Sequence, residues 1–161
     1  GYLQRDYSVQ VGLNSRLDPI QAALLRAKLP YLTSWNQRRE AIALKYQDAF
    51  KNHGVSMPMT TAGVRNGYHL FPVLLDDREE VRVRLQENGV QALIHYPTPL
   101  HLQPALAGLG YEAGDFPNAE WACDHELSLP IFPHIEDQEV DWVIESVCQA
   151  AADVQVGETD S

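Results

Sequence analysis

Two imidazoles, a phenol and a hydroxyl fall within one short stretch of this chain, His95-Tyr96-Pro97-Thr98-Pro99-Leu100-His101. These side chains are donors and acceptors of the kind that grip a sugar, a phosphate or a nucleotide. The apolar run before them, Val90-Gln91-Ala92-Leu93-Ile94, reads as a strand. Pro97 and Pro99 must end it, because proline cannot donate to a sheet ladder. His95, Tyr96, Thr98 and His101 are therefore delivered at a strand end and in the loop after it, where rigid scaffolds commonly present binding groups. A tightly turned polar loop with no ligand has the same composition, so the residues alone leave both readings open.

The elements around this stretch can be read from periodicity. Asp18-Pro19-Ile20-Gln21 has the form of a helix cap, a proline in the first turn and a glutamine able to reach back to the cap. Ile20, Leu24 and Ala27 follow at helical spacing until Pro30 breaks the helix near Leu29. A second helix is expected over residues 31–52, with Leu32, Trp35, Ile42, Tyr46 and Ala49 on its apolar face and Gly54 ending it. Residues 68–75 read as a strand, with Pro72 marking an edge or a bulge. Residues 76–88 read as an amphipathic helix with Val81 and Leu85 inward, closed by Gly89. Short helices are expected over 102–109 and 119–125, an extended piece over 128–130, and a last helix from Asp137 with Val140, Val143, Ile144, Val147 and Ala151 buried. The fold class is thus α/β, a short and mainly antiparallel sheet formed by 68–75 and 90–94 and packed against helices. The expected division is a loop segment over 1–17, a domain over 18–152 and a mobile acidic tail over 153–161.

Composition removes several function classes. The chain has 161 residues and a net charge of −10, which argues against nucleic acid or an anionic membrane as a partner. No apolar run is long enough to span a bilayer. Cys123 and Cys148 lack metal-ligand spacing and a CxxC pattern, so they read as free thiols in a reducing, cytoplasmic compartment. The histidines are too scattered to suggest a metal site, and none is expected. Cys123 and His125 are close enough to raise a nucleophilic pair, but no third group accompanies them. His134, beside Pro133, reads as a turn residue. The chain starts without methionine inside what looks like a loop, so a piece of a larger protein is expected.

Five segments taken together resemble the DegT/DnrJ/StrS family of sugar aminotransferases. They are Asn14-Ser15-Arg16-Leu17-Asp18-Pro19-Ile20-Gln21-Ala22-Ala23, Arg38-Arg39, Tyr68-His69-Leu70-Phe71, Ile94-His95-Tyr96-Pro97 with Pro99-Leu100-His101, and Leu127-Ser128-Leu129-Pro130-Ile131-Phe132-Pro133. The order matches the C-terminal part of the family, over nearly the whole chain. The resemblance implies the small domain of a fold-type I pyridoxal-phosphate enzyme. Such an enzyme moves an amino group from an amino acid, commonly glutamate, to a nucleotide-linked keto-sugar. It implies a homodimer in which Asn14 and Arg16 reach the cofactor phosphate of the neighbouring subunit, while His95, Tyr96 and His101, with Tyr68 and His69 beside them, line the nucleotide-sugar pocket. In the family the Schiff-base lysine precedes the matched segment. Here Lys28, Lys45 and Lys51 all fall on amphipathic helices and read as surface lysines, so no catalytic residue is expected in this stretch. A dehydratase relative and a stand-alone interaction module remain as alternatives.

Overall fold

The computed structural model describes residues 2–4, 7–8 and 16–159. The chain falls into two compact units, Gly1–Thr33 and Ser34–Ser161. In the first, strands β1 (Tyr2–Gln4) and β2 (Tyr7–Ser8) pair antiparallel, and helix α1 (Pro19–Lys28) follows. Asp18 caps α1 as expected, its Oδ1 accepting from the Ile20 N–H at 2.8 Å. None of α1's residues is buried, and Ile20 is 74% exposed. Among the described residues of the first unit, the apolar spacing of α1 builds no core. The break at Pro30 is a 3-10 turn, Leu29–Tyr31, leading into α2 (Leu32–Phe50).

The second unit is organised around two antiparallel strands, β3 (Phe71–Leu74) and β4 (Glu126–Leu129), in the register Phe71 with Leu129 through Leu74 with Glu126. On the outer side of β3, among the described residues, only Ser56 pairs, exchanging both backbone hydrogen bonds with Leu74. The Leu74 N–H points to that side. Pro72, two residues earlier, has its nitrogen turned the same way and so removes no bond from the β3/β4 ladder. Helix α3 (Arg78–Glu87) packs against α5 (Asp137–Thr159) and α4 (Pro117–His125) lies near β3.

One core joins these elements. Ile42, Ala43, Tyr46 and Phe50 from α2 meet Phe71 and Val73 from β3, Val81 and Leu85 from α3, Leu127 and Leu129 from β4, and Val140, Val143, Val147 and Ala151 from α5. Tyr46 stacks on Phe50, meets Phe71 edge-on and donates its hydroxyl to the Pro130 carbonyl at 2.9 Å. Burial raises its phenol above the ordinary tyrosine range. Leu32 and Trp35, expected on the buried face of α2, stay half-exposed or exposed; Trp35 meets the His134 ring edge-on.

Three expectations need correction. Residues 90–94 are not a strand: only Leu93 pairs, forming a single bridge with Ser128. The neighbouring donors are engaged elsewhere. The Val90 N–H closes α3 on the Leu85 carbonyl at 2.8 Å, and the His95 N–H goes to a side chain, Glu126. The partner of β3 is instead Glu126–Leu129, beginning before the extended piece expected at 128–130. Residues 102–109 are not α-helical but lie in two 3-10 turns, Leu100–Leu102 and Pro104–Leu109, with Pro104 starting the second. Helix α5 starts at Asp137 as expected and continues to Thr159, through most of the segment expected as a tail.

Candidate functional site

The loop over residues 95–101 is held at both ends by carboxylates. Glu126 and Ser128 alternate with Leu127 and Leu129 along β4, so when the leucines face the core the two polar side chains share the opposite face. Glu126 is only 8% exposed. Its Oε2 accepts from the His95 N–H at 2.7 Å, and its Oε1 accepts from the Ser128 hydroxyl. Arg78 donates to the Cys123 carbonyl and reaches the Glu126 carbonyl at 3.5 Å, tying the end of α4 to the start of β4. His95 is thus fixed through its backbone. Its ring meets Tyr96 edge-on at 5.6 Å, and its Nδ1 is buried and, among the described residues, has no hydrogen-bond partner. The Tyr96 ring is 70% exposed.

At the other end the anchor is the imidazole itself. His101, 9% exposed, has its Nε2 3.0 Å from Glu120 Oε1 and its ring 4.8 Å from Phe116. Glu120 sits in the first turn of α4 and accepts from the Gly114 N–H at 2.8 Å and the Phe116 N–H at 3.3 Å. Gly114, at φ 96°, turns its N–H toward the carboxylate in a conformation that side-chain-bearing residues rarely adopt. The Gly114 N–H, then those of Phe116 and the His101 ring, hold the Glu120 carboxyl below its ordinary range. Phe116 also meets Tyr111 edge-on at 5.2 Å.

The remaining candidate residues are placed differently. Tyr68 is buried at φ 45°, its N–H held by Asn66 Oδ1 at 2.9 Å and its ring tilted against Phe71 at 6.4 Å. His69 is exposed. Arg16 is exposed, in the first unit, and Asn14 lies outside the described residues. Arg38 and Arg39, part of the resemblance, are used internally. Arg38 donates to the Ile135 carbonyl and Asp137, and Arg39 to the Gly67 carbonyl and Asn36. Glu120 and Glu126 escaped sequence reading. The one available signal was the alternation Glu126-Leu127-Ser128-Leu129, which places a carboxylate and a hydroxyl together on one face of a strand.

Cofactor chemistry can be tested against the lysines. A lysine that carries pyridoxal phosphate must be held in a desolvated pocket. Lys45 pairs with Asp141 at 2.5 Å and Lys51 with Asp48 at 2.9 Å, all on the surface, and Lys28 is exposed at the end of α1. None fits that requirement. Cys123 and Cys148 are free thiols raised by burial, with Asp124 adding to the rise at Cys123, so neither has the lowered value of a nucleophile.

The family profile described as DegT/DnrJ/EryC1/StrS aminotransferase family matches residues 2–148. The erythromycin biosynthesis sensory transduction protein EryC1 of Saccharopolyspora erythraea is 46% identical over 134 residues, covering 83% of this chain and 37% of that protein. The dTDP-3-amino-3,4,6-trideoxy-alpha-D-glucose transaminase of Streptomyces venezuelae is 43% identical over 137 residues, covering 84% of this chain and 36% of that one. Among solved structures, DesV of S. venezuelae superposes with a TM-score of 0.86 at 41% identity, covering 94% of this chain and 41% of DesV. The chain thus spans less than two fifths of the curated relatives it matches. With a matching profile over nearly its whole length, the order of its motifs and its fold in agreement, this chain belongs to the DegT/DnrJ/EryC1/StrS aminotransferase family.

Proposed function

We propose that this chain is the C-terminal part of a pyridoxal-phosphate-dependent aminotransferase that moves an amino group from glutamate to a nucleotide-linked keto-sugar. The observation that carries the reading is its 43% identity to a dTDP-amino-sugar transaminase. When bound, the cofactor supplies an electron sink for amino-group exchange. On this reading the Schiff-base lysine belongs to another stretch of the complete protein, which the surface pairing of Lys45 and Lys51 supports, and no catalytic step is assigned to this one. What these residues contribute is binding. In a homodimer, Asn14 and Arg16 would hold the cofactor phosphate of the neighbouring subunit. His95, Tyr96 and His101 would hydrogen-bond the nucleotide-sugar from a loop anchored by buried contacts, with Tyr68 and His69 alongside.

The test has two arms. The full-length protein, given pyridoxal phosphate, glutamate and dTDP- or UDP-linked keto-sugars, should release 2-oxoglutarate and amino-sugar in equal amounts. Dehydration of the sugar without nitrogen transfer would overturn the reading. This chain alone, mixed with pyridoxal phosphate, should show no stoichiometric visible absorbance band. A band that borohydride reduction maps to Lys28, Lys45 or Lys51 would contradict the assignment of the lysine elsewhere.

A further inference from the structure

Glu120 matches none of the sequence motifs above, yet it is the contact on which two loops converge. Its Oε1 receives the His101 imidazole at 3.0 Å. The same carboxylate takes the Gly114 N–H on both oxygens, at 2.8 and 3.0 Å, and the Phe116 N–H. Phe116 in turn covers the His101 ring, at 4.8 Å between centroids. One nitrogen of the ring is therefore tied and one face is packed. Nδ1 is the remaining polar atom of His101, and among the described residues it makes no hydrogen bond. A neutral imidazole that donates through Nε2 presents an acceptor at Nδ1, and a carboxylate behind the ring fixes that tautomer and orientation, as in other carboxylate-histidine pairs.

We propose that Glu120 is a positioning residue that holds His101 so that Nδ1 accepts a hydroxyl of the nucleotide-sugar. This rests on the reading that His101 contacts that substrate, and it adds the group that prepares the contact. It also gives the loop over residues 110–116 a function: Gly114 and Phe116 keep the carboxylate aimed at the ring.

The experiment is a double-variant cycle on the full-length protein without added amino donor. Calorimetric affinity is measured for dTDP-glucose and UDP-N-acetylglucosamine, and the tighter of the two is followed. His101→Ala should weaken binding about ten-fold, the usual size of one lost ligand hydrogen bond. Glu120→Ala should weaken it by a similar factor, and the double variant should bind no worse than His101→Ala alone, because Glu120 acts through the ring. Glu120→Gln, which keeps an acceptor oxygen, should recover most of the affinity. If Glu120→Ala does not fold, Glu120→Asp takes its place: it retains the charge but withdraws the carboxylate by one methylene, and its effect too should vanish in the His101→Ala background. Factors that multiply in the double variant, or an unchanged affinity in Glu120→Ala, would overturn the positioning role while leaving the substrate reading intact. No effect of His101→Ala, or no binding of either probe, would overturn the substrate reading and this inference with it.

Discussion

The two ends of the loop over residues 95–101 are secured by the same chemical group in opposite ways. At His95 a carboxylate from β4 grips the backbone, leaving the ring and the neighbouring Tyr96 phenol to be presented. At His101 a carboxylate from α4 grips the side chain and leaves one ring nitrogen. Glu126 is buried within the sheet and its partners are a main-chain N–H and a hydroxyl; Glu120 lies nearer solvent and its partners include two more main-chain donors in a glycine-containing turn. A backbone anchor sets where a loop begins. A side-chain anchor sets which atom a ligand meets. Loss of the first should therefore be felt by the whole unit, and loss of the second mainly by whatever binds there.

The sharpest way to break this distinction is Glu126→Ala. It leaves the His95 N–H and the Ser128 hydroxyl without an acceptor in a buried place. At about 1–3 kcal/mol for each stranded group, urea denaturation of the chain should show a loss of about 2–6 kcal/mol. A loss below about 1 kcal/mol would mean that water replaces the carboxylate and that the two anchors do not differ in kind.

Asn14→Ala probes a third region, the loop proposed to serve the cofactor rather than the sugar. In the full-length protein it should weaken pyridoxal-phosphate retention by about 1–3 kcal/mol, followed by absorbance during dialysis, with the KM for the sugar unchanged. A change in KM alone would move Asn14 to the substrate side.

His101→Ala should do the reverse, raising the sugar KM about ten-fold while cofactor occupancy stays near that of the parent. Initial rates beside cofactor absorbance separate the two, and equal effects on both quantities would merge the sites.

The smallest effect expected is in the pH dependence of stability. The Glu120 carboxyl lies below its ordinary value of 4.5 in the folded chain. The unfolded chain therefore binds this proton first as pH falls, so the stabilisation is fully present above that value and is lost on acidification through the lowered one. Urea midpoints of the parent and Glu120→Gln should converge as the pH drops below the ordinary carboxylate range. A gap that widens with acid would show that the carboxyl is not held ionised by its donors.

Much of the scaffold was legible because helices obey a local rule. The inward positions Val81 and Leu85, and Val140, Val143 and Val147, follow from a spacing confined to a single turn or two. Gly89, at φ 75°, closes α3 where its sequence position indicated. The proline-bounded loop after residue 94 was legible as well, since proline removes donors wherever it stands. Which strands pair was not. Residues 90–94 have the composition of a strand, but the Val90 N–H is engaged by the end of α3 and the adjoining His95 N–H by Glu126, and only Leu93 reaches the ladder. That competition is invisible in a local pattern.

The site divides in the same way. Residue types alone marked His95, Tyr96 and His101, because imidazoles and a phenol between prolines are chemically conspicuous. Glu120 and Glu126 are two of many acidic residues in a chain of net charge −10, and beyond the Glu126-Leu127-Ser128-Leu129 alternation nothing in their neighbours singles them out. Only tertiary structure decided that one meets a backbone N–H 31 residues earlier in the chain and the other an imidazole 19 residues earlier. A carboxylate is soluble on any surface and becomes specific only when folding removes its water and supplies its donors. The sequence by itself determined most of the helices, the interrupted loop and the family; the fold determined which side chains hold that loop and which atoms it has left to offer a ligand.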